Sequence, residues 1–178
     1  MRILGIDPGI GTTGWSILDQ DTGKPMLIAA GMVCTDQQLT HGLRLVQLRQ
    51  HVIGLIEQYL PTELAIERLF FAKNITTAMT VSEARGIILC AAAEFGLSIA
   101  EYSPPQIKQA ITGYGKATKR QLIDMLPHHL PGSTLPTQND AADAIAISVT
   151  HFTFGKILDQ TIIQTLNQSS HSGTVATH

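Results

Sequence analysis

The sequence predicts an α/β protein in which one mixed, five-stranded sheet is flanked by helices. Three observations carry that prediction. Three strand-like segments stand at the start, joined by turns too short for a crossover, and so form an antiparallel meander. Beyond them, stretches with helical spacing alternate with two further short apolar strands. The chain has 178 residues, of which 44% are hydrophobic and 15% charged, which suits one core of ordinary size.

Arg2 to Asp7 reads as a buried strand closed by the turn pair Pro8-Gly9. Gly11 to Gly14 follow as loop, and Trp15 to Leu18 as a second strand. A turn over Asp21 to Pro25 leads to a third strand, Met26 to Cys34. Leu45, Leu48, Val52, Ile56 and Leu60 then recur at helical spacing until Pro61 ends the helix. Leu64 to Glu67 is a fourth strand, apolar until its last residue. Thr76 to Phe95 reads as a long helix rich in small residues, with Gly96 as its stop and Leu97 to Tyr102 as the fifth strand. Ser103-Pro104 opens a short helix to Ala110, broken by Gly113-Tyr114-Gly115. Thr118 caps a helix reaching Leu126, Pro127 to Thr137 are loop, and Asn139 caps a last helix ending near Ile157. Residues 1–157 are therefore expected to form one domain, and 158–178 a polar, flexible tail.

Several classes of protein are excluded. No apolar run is long enough to span a bilayer. Asp7 comes too early for a secretory leader. Cys34 and Cys90 lie far apart without CxxC spacing, which rules out a disulfide scaffold or a cysteine-rich zinc site. The expectation is a cytoplasmic protein in a reducing environment.

The net charge of −2 conceals an asymmetry. From Arg68 to Arg120 seven basic residues face three acids, a local +4, while the rest holds five basic and eleven acidic residues, −6. A basic segment beside isolated acids is the pattern of a phosphate-binding groove with a carboxylate site.

Four acids stand where acids are costly. Asp7 and Glu67 each close an apolar strand. Asp140 and Asp143 lie three apart in an Ala/Ile-rich helix, about 60° apart around its axis and hence on one face. Strand ends and a first helical turn can converge, and three or four carboxylates offer the hard oxygen ligands that Mg²⁺ or Mn²⁺ prefers. Two such ions would clamp the attacking and leaving oxygens of a phosphodiester. No His or Cys spacing proposes zinc instead; His128 and His129, being adjacent, cannot share a ligand on a helix.

Three blocks in order resemble the RuvC-type Holliday-junction resolvases: Gly5-Ile6-Asp7-Pro8-Gly9 with Thr13-Gly14, then Ala65 to Asn74, then Asp140 to Ala146 ahead of His151. The resemblance covers roughly residues 1–155 and implies an RNase H-like fold. It also implies a dimeric endodeoxyribonuclease that nicks a four-way DNA junction symmetrically with two Mg²⁺ ions per site, Mn²⁺ substituting, beside a branch-migration helicase of the RuvA-RuvB type. Asp7, Glu67, Asp140 and Asp143 match the family's metal-binding catalytic acids. Phe70 matches an aromatic that stacks on bases at the junction, and Lys108 and Lys119 match basic positions facing the DNA backbone. The basic segment adds Lys73, Lys116 and Arg120 as candidate DNA contacts. The helix holding Glu83-Ala84-Arg85-Gly86 resembles the family's dimer-forming helix.

Two other readings compete. Asp7 to Gly14 also resembles the first phosphate loop of actin-like kinases and ATPases, but a nucleotide site there needs a second, similar lobe. The chain's 178 residues contain no internal repeat to supply one. A resolvase-like nuclease or junction-binding protein of another substrate class, such as RNA processing, is the remaining alternative. The presence of all four acids and Phe70 favours an active resolvase.

Overall fold

In the computed structural model, which describes residues 1–21, 23–69 and 75–171, five strands form one sheet. They are β1 (Arg2–Asp7), β2 (Thr12–Asp21), β3 (Lys24–Cys34), β4 (Glu63–Glu67) and β5 (Ser98–Tyr102), in the order β3-β2-β1-β4-β5. The meander β1-β2-β3 is antiparallel, whereas β4 and β5 run parallel to β1, so the sheet is mixed as expected. Strand β2 begins at Thr12 rather than Trp15, because Thr12 and Thr13 pair with Cys34 and Val33 of the long third strand.

Helices α1 (His41–Tyr59) and α2 (Ile75–Glu94) cover one face. Leu48, Val52 and Ile56 of α1 and Ala84, Ile88, Ala91 and Ala92 of α2 bury against Leu4, Ile6, Ile17, Leu64 and Ile66. Each large aliphatic side chain so buried contributes about 1.5–3 kcal/mol. Helix α2 stops where Gly96, at φ +73°, turns the chain so that the Leu97 N–H reaches the Ala92 carbonyl at 3.0 Å.

The other face carries α5 (Asn139–His171), with α3 (Pro104–Thr112) and α4 (Lys119–His129) packed over it. Ile107, Ile111, Leu122, Leu126 and Leu130 close on Ala142, Ile145, Ala146, Val149 and Phe152 of α5, which rest in turn on Ile3, Leu18 and Ala65. Nearly every residue of α5 from Ala141 to Thr150 is buried, so this helix is the centre of its half of the protein.

Several helix boundaries differ from expectation. Helix α3 continues past Ala110 to Thr112, where the Thr112 hydroxyl bonds the Lys108 carbonyl at 2.9 Å. Helix α4 runs through Pro127 to His129. The proline removes one N–H near the helix end, but Leu122, Leu126 and Leu130 continue the buried stripe across it and hold the last turn together. Asn139 is the first residue of α5 rather than its cap, and the Gln138 carbonyl accepts the Ala142 N–H at 3.1 Å. Finally, α5 continues beyond Ile157 to His171. Among the described residues no helix is long and apolar enough to cross a membrane.

Candidate metal centre and nucleic-acid interface

The period-two alternation of the strands decides where the acids point. Ile3, Gly5 and Asp7 of β1 share the face under α5, as do Ala65 and Glu67 of β4. The parallel register pairs Ile6 with Ile66, which sets Asp7 beside Glu67 where both strands end.

Small residues on that face let α5 come close. A Cβ on Gly14 would lie 2.0 Å from the Asp140 carbonyl oxygen, and one on Gly5 would lie 2.6 Å from the Ala144 carbonyl and 2.0 Å from Ser148 Oγ. The Ser16 hydroxyl fills the gap between them, donating to the Ala144 carbonyl at 2.9 Å and meeting Ser148 Oγ at 2.7 Å. The first turn of α5 is thereby pressed against the end of β1. One oxygen each from Asp7, Asp140 and Asp143 lie within 4.8 Å of one another. Glu67 completes the group through a side-chain hydrogen bond with Asp7.

Burial raises the Asp7 carboxyl from 3.8 to about 7, reinforced by the charges of Glu67, Asp143 and Asp140 and by the proton shared with Glu67. Burial also raises Glu67, while its bond to Asp7 and the charges of Lys119 and Lys108 pull the other way. Lys119 Nζ stands 2.5 Å from Asp143 Oδ2, and that bond raises the ammonium above its ordinary value. A cation among these oxygens would relieve the repulsion that burial and neighbouring charge impose on Asp7. The donors are all carboxylate oxygens, spaced so that small closures bring them to the about 2.0–2.1 Å that Mg²⁺ requires, and so they fit a hard divalent ion.

A cleft of about 300 Å³ opens over the acids, lined by Asp7, Glu67, Asp143, Lys108 and Lys119. The fold thus unites six of the expected residues, with Asp140 joining through the carboxylate oxygen that lies near those of Asp7 and Asp143. Lys116 is exposed in the turn after α3, and Arg120 is exposed on α4, paired with Asp124 at 3.2 Å; neither lines the cleft. Phe70 and Lys73, with Phe71, lie outside the described residues. Histidines serve as structural partners: His129 meets the Ile111 carbonyl at 2.8 Å, and His151 bridges Tyr102 and Glu63.

Sequence reasoning missed two contributors. Gly14 matters because the Asp140 backbone rests on it, a contact that only the fold reveals. Arg85 reaches from α2 to the end of β4, where its Nε donates to the Glu67 carbonyl at 3.3 Å. A lone cation in a helix of small apolar residues was the available signal.

Comparison with known proteins agrees with the fold. A family model described as "Crossover junction endodeoxyribonuclease RuvC" matches residues 3–151. The chain is 45% identical over 151 residues to the protein of that name from Chloroflexus aurantiacus (strain J-10-fl), spanning 85% of this chain and 92% of the relative. The counterpart from Brevibacillus brevis is 44% identical over 154 residues, at 86% and 93% coverage. Among solved structures, T. thermophilus RuvC in complex with Holliday junction substrate superposes with a TM-score of 0.81 at 31% identity, covering 88% of this chain and 96% of that one. A yeast mitochondrial Holliday junction resolvase, at 16% identity and TM-score 0.67, shares the fold over 89% of this chain and 80% of its own.

Proposed function

Since this chain belongs to the RuvC family of crossover junction endodeoxyribonucleases, we propose that Asp7, Glu67, Asp140 and Asp143 are its catalytic, metal-holding acids. The family's activity, endonucleolytic resolution of four-way DNA junctions in recombination and repair, is the activity of this chain. Family members use divalent ions, and our reading is two Mg²⁺ per site, with Mn²⁺ able to replace them. The observation that carries it is the convergence of three carboxylate oxygens within 4.8 Å, with Glu67 bonded to one of them. Bound there, the ions supply Lewis-acid activation of water and charge neutralisation at the departing 3′ oxygen. Asp7 and Glu67 would hold the metals from the sheet and Asp140 and Asp143 from the helix. Lys119 offsets the charge of Asp143, and Lys108 faces the DNA backbone from the cleft wall.

The remaining assignments complete this reading. The exposed stripe Met79, Ser82, Gly86 and Ala93 on α2 supports a homodimer through that helix, which would present two sites to opposed strands. A branch-migration complex of the RuvA-RuvB type is the expected partner and the cytoplasm the expected location. We assign the nuclease domain to residues 1–157, with α5 running on beyond it to His171.

Purified protein with Mg²⁺ should nick a mobile four-way junction in paired, symmetric positions, leaving 5′-phosphate and 3′-hydroxyl ends that ligase reseals. A linear duplex of the same sequence should stay intact. Binding without cutting in both Mg²⁺ and Mn²⁺, or preferential cutting of RNA, would favour the alternative substrate classes.

Two further results are expected here. Lys108→Gln should weaken junction binding and lower the slope of log affinity against log salt by about one unit. Lys24→Gln, at the β2–β3 turn far from the strand ends that hold the acids, should leave the slope unchanged. Equal slopes for all three proteins would remove Lys108 from the interface. Phe70→Ala should slow single-turnover cleavage much more than it weakens junction binding, as loss of a stacking contact of about 1–3 kcal/mol would. Phe71→Ala should instead lower the melting temperature. A Phe70→Ala protein that melts early but cuts normally would show a core ring and no stacking role.

A further inference from the structure

Glu67 is the last residue of β4, and its backbone is fastened on both sides of the peptide that follows it. The Arg68 N–H donates to the Tyr102 carbonyl at 2.8 Å, and the Glu67 carbonyl accepts from Arg85 Nε at 3.3 Å. Arg85 is itself anchored: its second guanidinium nitrogen lies 2.6 Å from Glu101 Oε2 on β5. Arg68 Nε approaches the same oxygen at 3.5 Å. The Arg85 side chain is only 17% exposed, whereas that of Arg68 is 61% exposed. A largely desolvated guanidinium is costly unless its donors are used, and these are spent on one carbonyl and one carboxylate. Three elements (α2, β4 and β5) are thus tied together at the residue that carries the carboxylate.

We infer that Arg85 is a positioning residue for the metal centre, one that sets the direction of the Glu67 carboxylate by fixing the peptide behind it. The inference rests on Glu67 being a metal ligand. Rotation about the Glu67 Cα–C bond swings the side chain relative to the peptide behind it, so with that peptide held by Arg85 and the Tyr102 carbonyl the direction of the side chain is set. A planar fork with two anchored ends resists that rotation, as a lysine, with a single point charge, does not. Arg85 touches no reacting group, so its effect should appear in metal binding rather than in junction binding. Outer-shell partners of metal ligands commonly matter by about 10–100-fold in metal affinity or activity.

The test is single-turnover junction cleavage across a Mg²⁺ titration, with junction affinity and melting temperature measured on the same proteins. Arg85→Gln should raise the Mg²⁺ midpoint by about 10–100-fold, with junction affinity unchanged and much of the rate recovered at saturating Mg²⁺. Arg85→Lys should fall between this variant and wild type. Glu101→Gln, which loosens the anchor without removing the arginine, should shift the midpoint in the same direction by less. Arg49→Gln is the control, since it breaks a comparable ion pair to Glu94 of α2 well away from Glu67; it should leave the midpoint in place. Should Arg85→Gln not fold, Arg85→Lys and Glu101→Gln decide the question alone. Unshifted midpoints in the Arg85 and Glu101 variants, or an equal shift in Arg49→Gln, would overturn the inference. Glu67→Gln separates the two levels: if it leaves metal dependence untouched, the ligand assignment fails. If it destroys metal dependence while the Arg85 variants behave as wild type, only the positioning role fails.

Discussion

Asp7→Asn should abolish junction cleavage while junction binding survives, and should also make the metal-free protein more stable at pH 8. Chemistry needs the ions, whereas affinity comes mostly from basic contacts with phosphates. The stability effect follows from the raised carboxyl. Unfolded, Asp7 releases its proton near 3.8; folded, it keeps the proton to about 7. Between those values the native state binds more protons than the unfolded one, so this group's contribution to stability falls as pH rises across the window. Above about 7 the penalty is complete and constant. Asparagine cannot ionise and escapes it. In chelator, therefore, wild type should lose melting temperature between pH 5 and pH 8 more steeply than Asp7→Asn. Added Mg²⁺ should stabilise wild type only, and increasingly as pH rises to neutrality, because ion and proton compete for the same oxygens. Glu67→Gln, Asp140→Asn and Asp143→Asn should likewise bind without cutting. Two of the four variants turning over normally in Mg²⁺ would end the shared-centre assignment.

Gly14→Ala should be nearly as damaging to activity without removing any reactive group. The added methyl would lie 2.0 Å from the Asp140 carbonyl oxygen, against backbone that cannot rotate aside. Helix α5 must then lift by about an ångström or more to restore ordinary contact. Misplacement on that scale can cost about 10²-fold in rate, and overpacking of this kind costs about 1–3 kcal/mol of stability. With about 2–4 °C per kcal/mol for a chain of this size, the melting temperature should fall by several degrees. Gly5→Ala, facing the Ala144 carbonyl at 2.6 Å, should act in the same direction. Gly54→Ala on α1 meets nothing within 4 Å and should be neutral or slightly stabilising. If Gly14→Ala cuts at the wild-type rate, close apposition of α5 is not what assembles the acids.

The sequence and the fold agree where a local pattern decides the outcome. Asp7 and Glu67 stand out because each interrupts an apolar alternation at its end, and Asp140 and Asp143 because a three-residue spacing defines a helix face. Contacts between distant segments leave no such mark. Thr12 and Thr13 read as loop because their strand character comes from pairing with β3. Pro127 reads as a stop because the leucine stripe that overrides it draws its stability from α5. The extension of α5 was hidden by its polar residues, although Leu158, Ile162 and Leu166 recur at four-residue spacing. Gly14 is the clearest case, since its reason for being glycine is a backbone atom of Asp140, at the far end of the fold.

That separation also bears on how the protein is made. Strand β1 is synthesised just before β2 and meets it through a short hairpin, yet its other face waits for α5, more than a hundred residues later. Until α5 leaves the ribosome, Ile3, Leu18 and Ala65, all fully buried in the finished protein, face water. A nascent chain halted before Asn139 therefore presents an apolar sheet surface, a substrate for chaperones and proteases, and holds only two of the four acids. The proposed centre, divided in this way between β1, β4 and α5, cannot assemble on a chain that stops short of α5.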